Sequence, residues 1–201
     1  MTTHGRPSAA TAARYAAIAD EVLVARARGR GGELLAINFS DLNLFAQALL
    51  LGLDPIEDLD EFRTFRETVD ALEAPYSVDD VAAAVGDHPL AVRIANLGVA
   101  SWGVWCRPGE RSLAELALTR PRCFVLDLGG LELPAERTLV SLAILRLLWL
   151  TREQKQPVLL VVDEAHNVLP AHPATALEAA ATEVGISIAA EGRKFGLHLL
   201  V

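Results

Sequence analysis

Residues 157–170 read Pro-Val-Leu-Leu-Val-Val-Asp-Glu-Ala-His-Asn-Val-Leu-Pro, and the prediction of the fold starts from this stretch. Five consecutive aliphatic residues, Val158 to Val162, run directly into Asp163 and Glu164. A short apolar run bounded by proline is typical of a strand that is buried on both faces of a parallel sheet. The two acids are then predicted to lie at the carboxyl end of that strand, where open α/β sheets bind their ligands.

Two carboxylates at a strand end suit a nucleotide site. The first, Asp163, can hold a Mg²⁺ ion through water, and the second, Glu164, can orient or deprotonate an attacking water. This is the pattern called Walker B. The alternative interpretation is a buried strand followed by a solvated acidic turn without chemistry.

The composition indicates a globular chain. It has 201 residues, of which 52% are hydrophobic, with a mean hydropathy of +0.30. No apolar run approaches the roughly 18 residues of a membrane span, and the N-terminus lacks the features of a signal peptide, so a cytoplasmic protein without a membrane partner is expected. Cys106 and Cys123 are too few for a disulfide framework or a metal site, and Cys123 is expected to be a small buried hydrophobe.

The net charge of −8 argues against a protein that coats nucleic acid with a broad basic face. It does not exclude a local contact made by a few arginines. The cations are 16 arginines and only two lysines, Lys155 and Lys194.

Three regions are predicted along the chain. Residues 1–32 are expected to be a helical lead-in, with one helix from Ala9 to Arg28. Residues 33–120 combine a short strand, Leu34 to Phe39, with a helical insertion. His88 in this region is expected to be a surface or loop residue, and the turn from Trp102 to Trp105 is interpreted as packing rather than as a platform for stacking a base.

Residues 121–201 alternate between strand and helix patterns, which predicts a parallel sheet with right-handed crossovers. The predicted elements are a buried strand at Cys123–Leu128, a largely buried helix at Glu136–Leu150, the strand at Val158–Val162, a helix at Pro173–Lys194 that is kinked near Gly185, and a last strand at Leu197–Val201.

Residues 33–201 resemble the HerA/FtsK group of hexameric ATPases, particularly the bacterial HerA-like proteins. The resemblance lies in Cys123-Phe-Val-Leu-Asp-Leu, in Leu159-Leu-Val-Val-Asp-Glu-Ala-His, and in Glu191-Gly-Arg-Lys-Phe-Gly-Leu-His-Leu-Leu-Val. It implies a partial P-loop NTPase fold (RecA/ASCE-like), with helices on both faces of a parallel sheet and a helical insertion. The strand order would run from Leu197–Val201 to Val158–Val162 to Cys123–Leu128.

The family couples ATP hydrolysis to the movement of double-stranded DNA through a ring of like subunits, in some cases with a nuclease partner. By resemblance, Asp163 would hold the Mg²⁺ shell and Glu164 would orient the hydrolytic water. Arg193 would act as a catalytic arginine finger towards a neighbouring subunit. Alternatively, Arg193 and Lys194 are only cations at a helix end, where the helix dipole favours them. His166 has no assigned chemistry beyond a contact with the next strand or a neighbouring subunit.

The departures from the family pattern concern the phosphate site. A P-loop needs Gly-x-x-x-x-Gly-Lys followed by Ser or Thr, and neither Lys155 nor Lys194 lies in such a loop. The chain is therefore expected to be the middle part of a HerA-like ATPase, truncated at both ends, or a remnant, and to bind ATP and Mg²⁺ only if a P-loop from outside completes the site. Two alternatives remain open. One is a non-catalytic interaction module of the same fold. The other is a superfamily-two helicase, suggested by the motif Asp-Glu-Ala-His, but it is disfavoured because residues Glu191–Gly196 lack the Ser/Thr-Ala-Thr type motif of those enzymes.

The last strand is expected to be an exposed edge. Leu197–Val201 is apolar apart from His198 and has no proline or lysine to prevent pairing with another chain. An exposed apolar patch and self-association of the chain are therefore predicted.

Overall fold

A computed structural model describes residues 11, 16 and 21–201 and has a mixed α/β architecture, with about 53% helix and small parallel sheets. The strands are β1 (Val22–Arg26), β2 (Glu33–Leu34), β3 (Cys123–Asp127), β4 (Val158–Val161) and β5 (Leu197–Leu200). The helices within residues 21–201 are α1 (Leu44–Leu50), α2 (Leu59–Ala71), α3 (Val78–Val85), α4 (Pro89–Leu97), α5 (Leu113–Leu118), α6 (Pro134–Leu150) and α7 (Ala176–Glu191).

The first sheet has the strand order β2-β1-β3, and both pairings are parallel. Its central strand, β1, lies where the sequence predicted the second half of a helix from Ala9 to Arg28, so this part of the prediction is wrong. The apolar run Val22-Leu23-Val24 pairs along its whole length with β3, and the pairing of β1 with a partner on each edge outweighs the helix propensity of the flanking alanines. Residues 9, 10, 12–15 and 17–20 of the predicted helix lie outside the described part of the chain.

The second sheet consists of β4 and β5, which pair in parallel from Val158 opposite Leu197 to Val161 opposite Leu200. This pairing confirms the prediction that the last two strands are neighbours in a sheet. The rest of the predicted strand order is wrong, because β3 hydrogen-bonds to β1, and among the described strands β4 pairs only with β5. The sequence patterns that predict β3 and β4 are local, but the partner of each strand is distant along the chain: β1 lies about 100 residues before β3, and β5 lies about 40 residues after β4.

Helices α6 and α7 pack against each other and cover one face of each sheet. The first part of α6, with Leu139 and Leu142, belongs to the main core together with Phe124 and Leu126 of β3. Further along α6, Leu145 joins Ile188 of α7 and Leu197 of β5 in a second cluster that also contacts Val158 and Leu160. These two contacts explain why α6 is strongly apolar. They confirm the prediction that this helix is largely buried.

The opposite face of the β4–β5 sheet is open. Leu159 is 66% exposed, Val161 59% and Leu200 57%, and the alternating residues of the same strands face the helices. The prediction that Val158–Val162 is buried on both faces is therefore wrong, because only one helical layer covers it. The predicted exposed apolar patch is confirmed; these three side chains are called the open face below.

The helical insertion is held by caps and by one arginine. Helix α3 begins with a capping box, in which Asp80 N–H donates to Ser77 Oγ and Ser77 N–H donates to Asp80 Oδ2. Arg93 of α4 binds Asp58 and Glu61 at the start of α2 and donates to the carbonyl of Gly52, which follows α1.

His88 caps α4 rather than lying free in a loop. Its Nδ1 accepts from Leu90 N–H at 3.2 Å, and its Nε2 lies 3.3 Å from Asp60.

Two smaller predictions are also wrong. Helix α7 runs without interruption through Gly185, where a Cβ would lie only 3.1 Å from Leu169 Cδ1, so this glycine serves close packing and not a kink. Cys123 is exposed, because it begins β3 on the face of the sheet that the helices leave uncovered.

None of the helices in the described part of the chain combines the length and apolarity that crossing a membrane requires.

Candidate functional site

Asp163 and Glu164 lie where the sequence placed them, immediately after β4. Val162 N–H still donates to the carbonyl of Leu200 at 2.9 Å, which continues the parallel pairing to the residue before the acids. Both acidic residues are exposed at the carboxyl end of the strand. The site is therefore a surface turn rather than a closed cleft.

Glu164 has a backbone conformation that side chains rarely adopt. Its φ of +50° lies in the left-handed region, and it precedes a short 3-10 turn, Ala165–Asn167, in which Asn167 N–H donates back to the carbonyl of Glu164. A left-handed residue other than glycine costs roughly 1–2 kcal/mol. Glu164, the residue predicted to orient water, is thus held in a strained backbone conformation. At this residue the chain changes direction and enters the 3-10 turn.

His166 is the side chain that the structure brings to this pair. Its Nδ1 lies 3.4 Å from Glu164 Oε2, and the two side chains are 72% and 69% exposed. At such exposure an ion pair contributes little to stability, about 0–1 kcal/mol. The contact does, however, place an imidazole beside the carboxylate to which the sequence assigned water activation.

Arg193 lies at the other end of the sheet. It belongs to the 3-10 turn Gly192–Phe195 that precedes β5, whereas the acids follow β4, and the two strands are parallel. A four-residue strand is roughly 13 Å long, so Arg193 of this chain is remote from Asp163 and Glu164. The structure therefore separates the three predicted catalytic residues into a carboxyl-end pair and an amino-end arginine.

The turn around Arg193 has a packing role of its own. Phe195 meets Trp149 edge to face at 6.0 Å, and the Arg152 guanidinium lies 4.3 Å from the Trp149 ring centroid. Lys194 Nζ lies 3.6 Å from Glu191, while Arg193 is exposed and has no ion pair with a described residue. This is the setting expected for cations at a helix end, and it leaves the Arg193 guanidinium able to reach another molecule.

The residues present fit a Mg²⁺ ion only through water. Within residues 21–201 and at positions 11 and 16, no three His, Cys, Asp or Glu side chains converge as a metal cage. An Asp carboxylate that contacts the ion's water shell needs no such cage, because Mg²⁺ usually keeps several waters and takes its other ligands from substrate phosphates. Asp163 is suited to this role, and a full site needs phosphate ligands held by another segment.

Two cavities lie away from the acids. A small one of about 50 Å³ lies among Leu42, Leu113 and Ile144, and a wide depression of about 690 Å³ lies along β1, with Arg26 and Gly32 in its lining. Neither is lined by Asp163 or Glu164. Asp163 and Glu164 themselves lie exposed on the surface.

The aromatic turn is structural, as predicted. Trp105 Nε1–H donates to the carbonyl of Val99 at 2.6 Å, and its ring meets Phe39 edge to face at 5.8 Å. Gly103 N–H donates to Glu136 Oε1 at 2.7 Å, so the buried carboxylate of Glu136 ties this turn to the start of α6.

The sequence analysis missed a second set of charged residues at a strand end. Arg26 and Asp127, the last residues of β1 and β3, are directly opposite in the register, and Arg26 Nε lies 3.4 Å from Asp127 Oδ2. Arg26 was assigned to a helix, which hid its place at the carboxyl edge. The apolar run Val22-Leu23-Val24 that precedes it was the available signal.

Comparison of the chain with models of protein families, with curated proteins and with solved structures gives no match. The likeness to the HerA/FtsK group therefore remains a prediction from the sequence motifs.

Proposed function

We propose that this chain supplies the Walker B part of an ATP-hydrolysing DNA translocase of the HerA/FtsK type, on a partial P-loop NTPase (RecA-like) sheet. In this proposal Asp163 holds the water shell of Mg²⁺ and Glu164 orients the hydrolytic water. The observation that supports it best is the parallel β4–β5 pair, joined through α7, with the two acids at the carboxyl end of β4. This is the edge at which open parallel sheets bind nucleotides.

The proposal requires a P-loop that is not within these 201 residues. ATP and Mg²⁺ would bind only where such a loop meets Asp163 and Glu164. Both acids are exposed, and neither of the two cavities described above is lined by them. These observations agree with a site that another segment completes.

The position of Arg193 supports a role between subunits. Because it lies at the opposite end of the sheet from Glu164, it is remote from the acids of its own chain, whereas a neighbouring subunit in a ring could present its nucleotide there. The proposal accordingly includes like subunits in a hexameric ring, double-stranded DNA as the substrate of movement, a nuclease as a possible partner and a cytoplasmic location.

A non-catalytic interaction module of the same fold is the second candidate. It is favoured by one observation about the two lysines of the sequence: Lys155 directly follows a 3-10 turn and Lys194 lies within one, so neither lies in a phosphate-binding loop. A helicase of superfamily two has no comparable support. The two candidates differ in whether a supplied P-loop restores turnover.

The test joins the chain to the P-loop segment of a HerA-like ATPase and measures phosphate release. Turnover is expected, and Glu164→Gln is expected to reduce it by about 10²-fold or more while nucleotide affinity changes little, since the metal-binding Asp163 is retained. Glu153→Gln, an exposed acid at the amino end of the sheet, is the matched control and should keep full activity. Turnover that is unchanged in Glu164→Gln would reject the role of Glu164, and no turnover in any variant would favour the interaction module.

A further inference from the structure

The open face lies in an electrically balanced part of an acidic chain. Strands β4 and β5 contain no acidic or basic residue except His198, which lies opposite Leu159 in the register and is exposed. Residues 54–98 carry the whole net charge of −8, with 11 acids and three arginines, and the remaining 156 residues have 15 acids and 15 arginines or lysines. Because charges further apart than about 8 Å are screened at physiological ionic strength, the charges around the open face decide which partner it accepts.

The carboxyl end of the β4–β5 sheet carries negative charge. Asp163 and Glu164 follow β4 and are exposed, and the sequence from Val162 to Thr175 contains no lysine or arginine. In the part of the chain that the structure describes, neither acid pairs with a lysine or arginine, and Glu164 has only the contact with His166 at 3.4 Å. Two carboxylates without a cationic partner thus lie at one end of the open face.

The amino end of the same sheet carries positive charge. The turns before β4 and β5 lie side by side there because the two strands pair in parallel. With the last residue of α7 these turns contain four cations and two acids, a net charge of +2: Arg152, Lys155, Arg193, Lys194, Glu153 and Glu191. Lys155 and Arg193 are exposed and form no ion pair with any described residue. Arg120, which donates to Gln154 at 3.4 Å, adds a further cation beside this end.

The two groups of charges are separated by the length of the strands. A four-residue strand is roughly 13 Å long, and sheets that pack face to face lie about 10 Å apart, a distance that two long charged side chains can span. Where the strands of two stacked copies run in opposite directions, the negative end of each sheet lies over the positive end of the other. Where the strands run in the same direction, like charges meet at both ends.

We propose that the open face docks a second copy of this chain, with β4 and β5 of the two copies running antiparallel. In this pair Leu159, Val161 and Leu200 of both copies cover each other. The acids that follow β4 of each copy lie opposite the cations that precede β4 and β5 of the other. The apolar side chains supply the affinity, and the charges select the orientation. The same surface is used by both chains, so the assembly ends at a pair.

This inference goes beyond the proposed function and does not rest on it. The subunits of a ring contact each other through two different surfaces, whereas the pair uses one surface twice. The pair also needs neither ATP nor a P-loop. The test is therefore made on the 201-residue chain without nucleotide, and it replaces Lys155 and Lys194 while Arg193 is kept. Its outcome is then separate from that of the ATPase test.

Two charge variants test the orientation. Lys155→Glu/Lys194→Glu makes both ends of the sheet acidic, and Asp163→Lys/Glu164→Lys makes both ends basic. In sedimentation equilibrium at pH 8 and about 25 mM salt, each variant alone should dissociate at a concentration at least about 10-fold higher than the native chain, because both reciprocal contacts change from attraction to repulsion. An equimolar mixture of the two variants should associate at least as tightly as the native chain, because each acidic end then meets a basic end.

Matched controls separate this effect from net charge. Arg63→Glu/Arg66→Glu and Glu67→Lys/Asp70→Lys, at exposed positions of α2, make the same changes of net charge as the two variants and should associate like the native chain. Leu159→Lys/Val161→Lys added to both charge variants should abolish association of their mixture, which ties the contact to the open face. At about 0.5 M salt the difference between the charge variants and the native chain should shrink.

Four results would overturn the proposal. They are a native chain that stays monomeric at every concentration, native assemblies larger than a pair, charge variants that associate as tightly as the native chain, and an equal loss in the α2 variants. Charge variants that associate like the native chain but more tightly when mixed would indicate parallel strands. A loss in each charge variant, with recovery in their mixture, would support the antiparallel pair.

Discussion

Replacing Leu159 and Val161 with lysine should prevent self-association of the chain without unfolding it. Both side chains belong to the open face and are 66% and 59% exposed, and Leu200 beside them is 57% exposed. Fully burying such a side chain stabilises by about 1.5–3 kcal/mol, so covering the part that remains exposed would contribute roughly 1–2 kcal/mol each. Two copies that cover each other's three side chains would gain roughly 6–12 kcal/mol.

This gain must exceed the cost of association, which is about 4–15 kcal/mol. Self-association is therefore expected to appear with increasing protein concentration, aided by the outer edges of the β4–β5 sheet, with which no other described strand pairs. The two lysines remove most of the gain and leave two charges that would have to be desolvated. Because both positions are exposed, their effect on the free energy of unfolding should be within about 0.5 kcal/mol.

Sedimentation velocity over a range of concentrations measures the association, and urea unfolding measures the stability. Ile56→Lys/Val92→Lys, at two exposed apolar positions of the helical insertion, is the control and should associate like the native chain. A native chain that is monomeric at every concentration would contradict the reasoning, and so would a lysine variant that still associates. The first result would mean that the open face is covered in solution, and the second that the chain associates through another surface.

Further outcomes follow from individual contacts. Arg28→Ala should lower the free energy of unfolding by about 1–2 kcal/mol at pH 7, because Glu110 loses its ion-pair partner. The pKa of Glu110 is lowered to about 2 in the native chain, so the difference in stability should shrink as the pH falls from about 4.5 towards 2. Urea unfolding at several pH values measures this difference. Glu136→Ala leaves the backbone N–H groups of Gly103 and Leu133 without their acceptor, at a residue that is only 4% exposed. It should lower the free energy of unfolding by about 2–4 kcal/mol in urea unfolding. Glu132→Ala, at an exposed position, is the control and should leave the stability nearly unchanged. In isothermal titration the isolated chain should bind ATP·Mg²⁺ with a dissociation constant above roughly 1 mM and should not hydrolyse it; micromolar affinity would contradict the expected need for an outside P-loop.

The sequence by itself determined the elements whose signals are local. The aliphatic run at Val158 predicted β4 and the position of the two acids after it, because a continuous apolar segment needs no partner to be recognised. The capping boxes at Ser77 and Ser112 are equally local, since in each the donor and the acceptor lie within three residues of each other. The apolar run of α6 predicted its burial for the same reason.

The tertiary structure decided the features that depend on distant partners. Val22–Arg26 becomes the centre of a sheet only because β3, about 100 residues later, pairs with it. Leu159 is exposed because α6 and α7 cover only one face of β4. The sequence does not reveal this, because an apolar residue looks the same in the sequence whether its side of the strand is covered or open. Likewise, the parallel pairing of β4 with β5 places Arg193 and Glu164 at opposite ends of the sheet, a separation that motif spacing along the chain does not contain.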